Sequence, residues 1–272
     1  MSKDLALNAG ELLEDIRKKS PLIWNFSNFV SMDIAANALL AIGASPAMAH
    51  AKEEANDFSQ ICKAINGALT INIGTFDNHW KNCAIKIAKQ ANLNNIPWVL
   101  DPVGAGASKF RNENAKQLLS LKPTVLRGNA SEIISISGIK SSGKGVDSTS
   151  TSNDALDAAI SIAKSEKIIV AITGEVDYVT DGSKIYAVYG GNEMMTKITA
   201  TGCALTCLIG AGLTSEQNNL ISTANIMGIY SVASEKALIS SKGPASLRSE
   251  LIDTIYNLTP AEVEKNIKIE LI

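Results

Sequence analysis

Asn25, Asp101, Arg127 and Thr173 each stand at the carboxyl end of a short apolar run: Leu22 to Asn25, Trp98 to Asp101, Thr124 to Arg127 and Ile168 to Thr173. Ligands of open α/β sheets sit outside the carboxyl ends of the strands. An amide, a carboxylate, a guanidinium and a hydroxyl gathered there can hold a phosphate and its metal. Each residue alone reads equally well as a helix or turn cap, so the convergence is the signal. From Asp101 the chain enters Pro102-Val103-Gly104-Ala105-Gly106-Ala107, where glycines allow close backbone approach to a ligand and Asp101 can face hydrated Mg²⁺.

Thr199-Ala200-Thr201-Gly202-Cys203-Ala204-Leu205-Thr206 is the most informative segment. A loop feeds a helix of small residues, so unpaired amides and the positive end of the helix dipole converge near Gly202. That is an anion hole suited to a transferring phosphoryl group. Cys203 falls in the first turn, where a thiol pKa tends to drop. Spacing alone favours a plainer reading, with Cys203 and Cys207 as small core residues on one helix face.

Other motifs lose on inspection. The stretch from Gly104 lacks the third glycine of a dinucleotide fingerprint. Gly138 to Gly145 matches GxxxxGK but puts Gly145 where a P-loop needs Ser or Thr, and no helix is expected after it. His50 and His79 are widely separated and too few for an all-protein metal site.

The elements that must position these residues follow from the apolar pattern. The runs above, with Ala68 to Gly74, read as strands buried on both faces, alternating with helices over Met32 to Ile42, Trp80 to Ala91 and Ala130 to Ser137. Asn129 is a good N-cap for the last of these, and Asn153 caps a further helix over Asp154 to Lys164. Tyr178 to Thr180 and Lys184 to Tyr189 flank Asp181-Gly182-Ser183 as an antiparallel hairpin on the sheet edge. Gly190 to Thr199 is a polar connection, and Gly202 opens a helical third running to Leu258. Lys140 to Ser152, rich in Ser, Gly and Thr, reads as a loop, either a mobile flap or a plain surface connection. With no repeat or linker, residues 1–272 form one α/β domain with a mostly parallel sheet.

Composition bounds the partners. Lys+Arg 25 against Asp+Glu 27 leaves a net charge of −2, without the basic surface that nucleic acid requires. Apolar residues at 46% and charged residues at 19% exclude bulk disorder. No segment approaches the apolar length of about 18 residues that spans a membrane. The N-terminal stretch lacks a signal-peptide core, and four cysteines without a CxxC pair read as reduced thiols, so a cytoplasmic location is expected.

Taken together, Ala36 to Met48 (ANALLAIGASPAM), Asn72 to Thr75 (NIGT), Pro97 to Ala107 (PWVLDPVGAGA), Leu126 to Ile133 (LRGNASEI), Gly145 to Asp147 (GVD), Ile172 to Gly182 (ITGEVDYVTDG) and Met195 to Leu205 (MTKITATGCAL) resemble the hydroxyethylthiazole kinase family of ribokinase-like proteins. The resemblance runs along nearly the whole chain. It implies a three-layer sandwich, a mostly parallel sheet flanked by helices, with an edge hairpin. It also implies transfer of the ATP γ-phosphoryl group to the primary alcohol of 4-methyl-5-(2-hydroxyethyl)thiazole with Mg²⁺, in thiamine biosynthesis. By the same resemblance Arg127 and Thr173 contact ATP, and Gly202 and Cys203 stand at the reacting centre. Met48, the backbone of Ala200 and Asn28 line the thiazole pocket, and Asp101 and Glu132 lie near the metal and phosphates, directly or through water. The family is similar to a homotrimer with sites between subunits.

Two positions depart from the family pattern: Ala200 replaces a glycine, and Ser27 replaces a threonine. In the wider superfamily an aspartate base occupies the place of Cys203; a weak base suffices where phosphoryl transfer runs through a loose transition state. The apolar neighbourhood Ala47-Met48-Ala49 suits a neutral heteroaromatic better than a polyhydroxy sugar. Two rivals, a nucleotide-dependent hydratase repair enzyme on the same fold and a nucleotide sensor without transfer, are separated from the kinase by product formation.

Overall fold

A computed structural model describes residues 3–138 and 148–272. Among them nine strands form one sheet: β1 (Leu22–Phe26), β2 (Ser45–Ala47), β3 (Ala68–Asn72), β4 (Trp98–Asp101), β5 (Val125–Asn129), β6 (Ile169–Thr173), β7 (Asp177–Thr180), β8 (Ile185–Tyr189) and β9 (Lys268–Leu271). The spatial order is β2-β1-β3-β4-β5-β6-β7-β8-β9. Pairing is parallel from β2 through β6 and antiparallel from β6 to β9.

Successive strand residues point to opposite faces, and here both faces are apolar. Ile23, Val99, Val125 and Ala171 join one core, whereas Trp24, Leu100, Leu126 and Val170 join the other. The first core is completed by α1 (Lys3–Lys19), α2 (Met32–Ile42), α8 (Thr201–Gly212), α9 (Asn219–Ser240), α10 (Pro244–Asn257) and α11 (Pro260–Asn266). The second is completed by α3 (Ala55–Ala64), α4 (Asn78–Leu93), α5 (Lys109–Leu119), α6 (Ala130–Ser137) and α7 (Ser148–Glu166). The result is a three-layer α/β sandwich.

α8 lies over β1, β3 and β4 in the parallel part of the sheet. Small residues bring it close to its neighbours: a Cβ at Gly210 would fall 2.7 Å from Thr70 Cγ2 on β3, and one at Gly212 would fall 2.6 Å from Ile226 Cγ1 on α9. Cys203 and Cys207, four residues apart on α8, match Asn72 and Thr70, two apart on β3. Four helical residues rise about 6.0 Å and two strand residues about 6.6 Å, so helix and strand stay in step.

The expected architecture stands with three amendments. The hairpin of β7 and β8 does not end the sheet, because β9 pairs antiparallel outside it. β9 alternates a buried Ile269 with exposed Lys268 and Glu270, a pattern too short to read from sequence. The helical third expected to run to Leu258 is broken at Asn218 and Gly243, which cap α9 and α10, and α11 follows beyond it, capped by Thr259. α7 begins at Ser148, before the expected cap at Asn153, because the small helix-propensity deficits of Ser and Thr are overridden by the helix that follows. The GxxxxGK look-alike, the GVD motif and most of the Lys140 to Ser152 loop involve residues 139–147, outside those described.

Candidate active site

The carboxyl ends of neighbouring strands line up a row of polar side chains. Asn28, just beyond β1, donates from Nδ2 to Asn72 Oδ1 on β3 at 2.7 Å. Asn72 Nδ2 donates to Asp101 Oδ2 on β4 at 2.8 Å. Arg127 Nη1 on β5 lies 3.8 Å from the same Asp101 oxygen, and its Nη2 donates to Thr173 Oγ1 on β6 at 2.6 Å. From above, Thr206 of α8 donates to Asp101 Oδ2 at 2.8 Å. The thiol of Cys203 lies 3.7 Å from Asn28 Nδ2. Asn28, Asn72, Asp101, Arg127 and Thr206 are all buried.

Burial on this scale normally demands a partner for every polar atom. Asp101 Oδ1 and Arg127 Nε have none. Burial pushes the Asp101 carboxyl up to about 6; Arg127 pulls it back down, Glu132 adds to the rise, and Thr206 and Asn72 oppose it. An unpartnered carboxylate oxygen beside an arginine is a group prepared for a ligand that carries both charge signs.

α8 starts where the row reaches Gly202. Ala200 precedes the helix in the left-handed region, at φ +65° and ψ 12°, and offers no side-chain cap. The first-turn amides, which lack intrahelical partners, are thus left for an anion. A Cβ at Gly202 would sit 2.6 Å from Arg127 Nη1 and 2.8 Å from Nη2. Glycine there lets the guanidinium rest against the helix start, so both positive features address one point. Tyr230 of α9 fixes the entry by donating to the Thr201 carbonyl at 3.0 Å.

A cleft of about 740 Å³ opens beside this point, lined by Arg127, Thr173, Gly202, Asp177, Asn192 and Tyr230 among others. This is within the usual range for a small-molecule site. Asp177 accepts from the Gly174 amide at 2.9 Å, and its burial pushes the carboxyl up to about 6, against the Gly174 bond and Arg127. Cys203, Met48 and Asn28 do not line this cleft; they lie toward β1 and β2. Met48 and Ala200 are partly buried apolar residues packed against the first core, as is Met195, which does line the cleft.

Two sequence readings change. Asn25 does not join the row: it lies inside β1, donates to the Ile23 carbonyl at 2.8 Å and accepts from Thr70 at 2.7 Å, one layer deeper. Its run continues to Phe26, so the strand end was placed too early. The Cys203 thiol is not lowered by the helix start; burial pushes it up to about 11, with Asp101 adding to the rise and Asn72, Arg127 and Asn28 opposing it. Glu132 also serves the fold: Oε2 accepts from Asn129 N and Oε1 from Gly104 N, both at 2.9 Å, closing the capping box of α6 and holding the glycine-rich turn. Asn72, Thr206 and Asp177 were missed. Asn72 could have been found, since ending its apolar run at Asn72 rather than Gly74 makes it the counterpart of Asp101.

An uncapped helix start over parallel strands, reached by polar strand ends and an open cleft, is the kind of site at which an α/β enzyme takes a small molecule. Comparison with known proteins narrows this. A family model described as hydroxyethylthiazole kinase family matches residues 13–261. A hydroxyethylthiazole kinase of Pyrococcus furiosus is 41% identical over 267 residues, covering 98% of this chain and 99% of that one. The structure of a hydroxyethylthiazole kinase from Pyrococcus horikoshii superposes with a TM-score of 0.88 at 36% identity, covering 97% of this chain and 99% of that one. A pyridoxal kinase from Staphylococcus aureus, solved with AMP-PCP, shares the fold alone, with a TM-score of 0.65 at 14% identity over 93% of this chain and 98% of that one. The chain belongs to the hydroxyethylthiazole kinase family.

Proposed function

We propose that this enzyme transfers the γ-phosphoryl group of ATP to the primary hydroxyl of 4-methyl-5-(2-hydroxyethyl)thiazole, giving the monophosphate used to build thiamine. The observation that carries the reading is the contact of the Arg127 guanidinium with the uncapped start of α8 at Gly202. The nucleotide lies in the cleft, with Arg127 and Thr173 on its phosphates. The free amides around Gly202 face the transferring group, where charge spreads over the equatorial oxygens. The acceptor lies on the other side of the helix start, against Met48 and the backbone of Ala200, where thioethers and methyl groups suit a neutral aromatic ring. Asn28 has both amide hydrogens and its oxygen engaged, so its part is to hold the Cys203 thiol beside the acceptor oxygen. With its raised pKa Cys203 is a neutral thiol at pH 7, in keeping with positioning more than proton removal as the source of rate.

Among the described residues no group of three or more His, Cys, Asp or Glu side chains could hold a metal by itself. That donor set fits Mg²⁺, which keeps waters and binds through one or two carboxylates plus substrate phosphates. Asp101 Oδ1, buried and unpartnered, is the group on hand for it; Glu132 holds the turn beside it and keeps a lone pair on each oxygen for a water of the ion. When bound, Mg²⁺ neutralises charge on the phosphates.

The assembly proposed is a homotrimer acting in the cytoplasm, where its four free cysteines stay reduced. Phe29 and Val30, next to Asn28, are 67% and 57% exposed, an apolar surface that a neighbouring subunit would cover at the acceptor side. Incubation with ATP, Mg²⁺ and the thiazole alcohol, followed by mass spectrometry, is expected to show the phosphate ester. ATP binding without ester formation would sink the reading. Light scattering is expected to give three times the chain mass.

A further inference from the structure

Asn72 is 4% exposed and has no atom to spare. Its Nδ2 donates to Asp101, and its Oδ1 accepts from Asn28 Nδ2 and from the Gly74 amide at 2.9 Å. A carboxylate accepts only, so the orientation of the Asn72 amide is fixed, and with it that of the Asn28 amide. Through Asp101 it is tied to Arg127 and Thr206; it is tied to Cys203 both through Asn28 and by its own side chain. The backbone makes room for this link, because a Cβ at Gly74 would fall 2.5 Å from Asn28 Nδ2.

We propose that Asn72 is a positioning residue that aligns the acceptor half of the site with the phosphate half. The inference rests on the functional reading above, in which the acceptor lies at Cys203 and the phosphates at Arg127. Asn72 itself binds neither substrate. A link of this kind sets the approach of the acceptor oxygen to phosphorus, where a shift of about 1 Å costs on the order of 10²-fold in rate. Its loss should therefore appear in kcat and leave both KM values nearly alone.

The same strand supplies a control. Thr70, two residues earlier, makes an equally buried bond to Asn25 without touching the row. Steady-state kinetics and thermal melts on the full-length enzyme would compare Asn72→Ala, Asn28→Ala, their double variant and Thr70→Val. Asn72→Ala is expected to lower kcat about 100-fold with each KM within about threefold. The double variant should be no slower than the slower single, since both break one link. Thr70→Val should lower the melting temperature and leave kcat unchanged. Should Asn72→Ala fold poorly, Asn72→Ser, which admits a water to its partners, is read in its place with the same expectation. A kcat within about threefold of wild type, losses that multiply in the double variant, or an equal kcat loss in Thr70→Val would each overturn the inference while leaving the kinase reading intact. No ester from the wild-type enzyme would overturn both.

Discussion

Two layers of polar residues lie one above the other between α8 and the sheet, and they are built from the same residue types. The lower layer is Asn25, Thr70 and Cys207; the upper is Asn28, Asn72, Asp101, Thr206 and Cys203. In the lower layer Asn25 bonds to Thr70 and the Ile23 carbonyl, and Thr70 lies 3.7 Å from the Cys207 sulfur. The upper layer adds one carboxylate and leaves its Oδ1 without a partner, beside Arg127 with its Nε likewise unpartnered. Both layers are buried, so burial does not separate core from site. What separates them is the presence of polar atoms that the protein itself does not satisfy, Asp101 Oδ1 and Arg127 Nε, which a ligand or water can complete.

The largest test of this contrast is Arg127→Ala, which removes the cation shared by Asp101, Thr173 and Gly202. Loss of a preorganised charge at the transferring group is expected to lower kcat/KM by about 10²- to 10³-fold in steady-state assays. Next comes the ionisation of Cys203. With the thiol at about 11, alkylation by iodoacetamide, followed by mass spectrometry of the labelled peptide, should accelerate about tenfold per pH unit from pH 7 to 9 without levelling off. A plateau in that range would mean that the helix start lowers the thiol after all.

A smaller effect is expected when the two cysteines are compared directly. Cys203→Ser should reduce turnover moderately, about tenfold or less, since the proton leaves late in a loose transition state. Cys207→Ser, one layer down, should leave turnover unchanged and cost about 1 kcal/mol in a denaturant melt. A dead Cys203→Ser enzyme with normal ATP affinity would assign the thiol a larger part. The smallest effect concerns Ala200. A left-handed alanine is strained by about 1 kcal/mol, partly offset by the greater unfolded freedom of glycine. Ala200→Gly is thus expected to stabilise the protein by about 0.5 kcal/mol, read as a slightly higher melting temperature.

The same contrast explains what could be read in advance. The α/β class, five of the six strands from β1 to β6 apart from β2, and the helix start at Gly202 were legible because buried parallel strands are continuous apolar runs and helix starts carry small and capping residues. Asp101, Arg127 and Thr173 were legible because they end or nearly end such runs. Asn25 was misplaced because one more residue of strand, Phe26, sends it into the lower layer. Asn72 was missed because its apolar run was carried two residues too far, to Gly74. Thr206 was invisible for a different reason: its role depends on α8 lying in register with the sheet, a contact between distant parts of the chain. The Cys203 ionisation was misjudged because position in a helix is local, whereas burial belongs to the whole fold.

Distance along the chain has a kinetic corollary. Asn28 and Cys203 meet across 175 residues and Asp101 and Thr206 across 105, whereas the capping box of α6 closes within three. Closing such long loops is slow, so local turns form well before the upper layer can assemble. During refolding from denaturant, catalytic competence should accordingly return later than helical content, making enzyme activity a reporter of the final docking of α8.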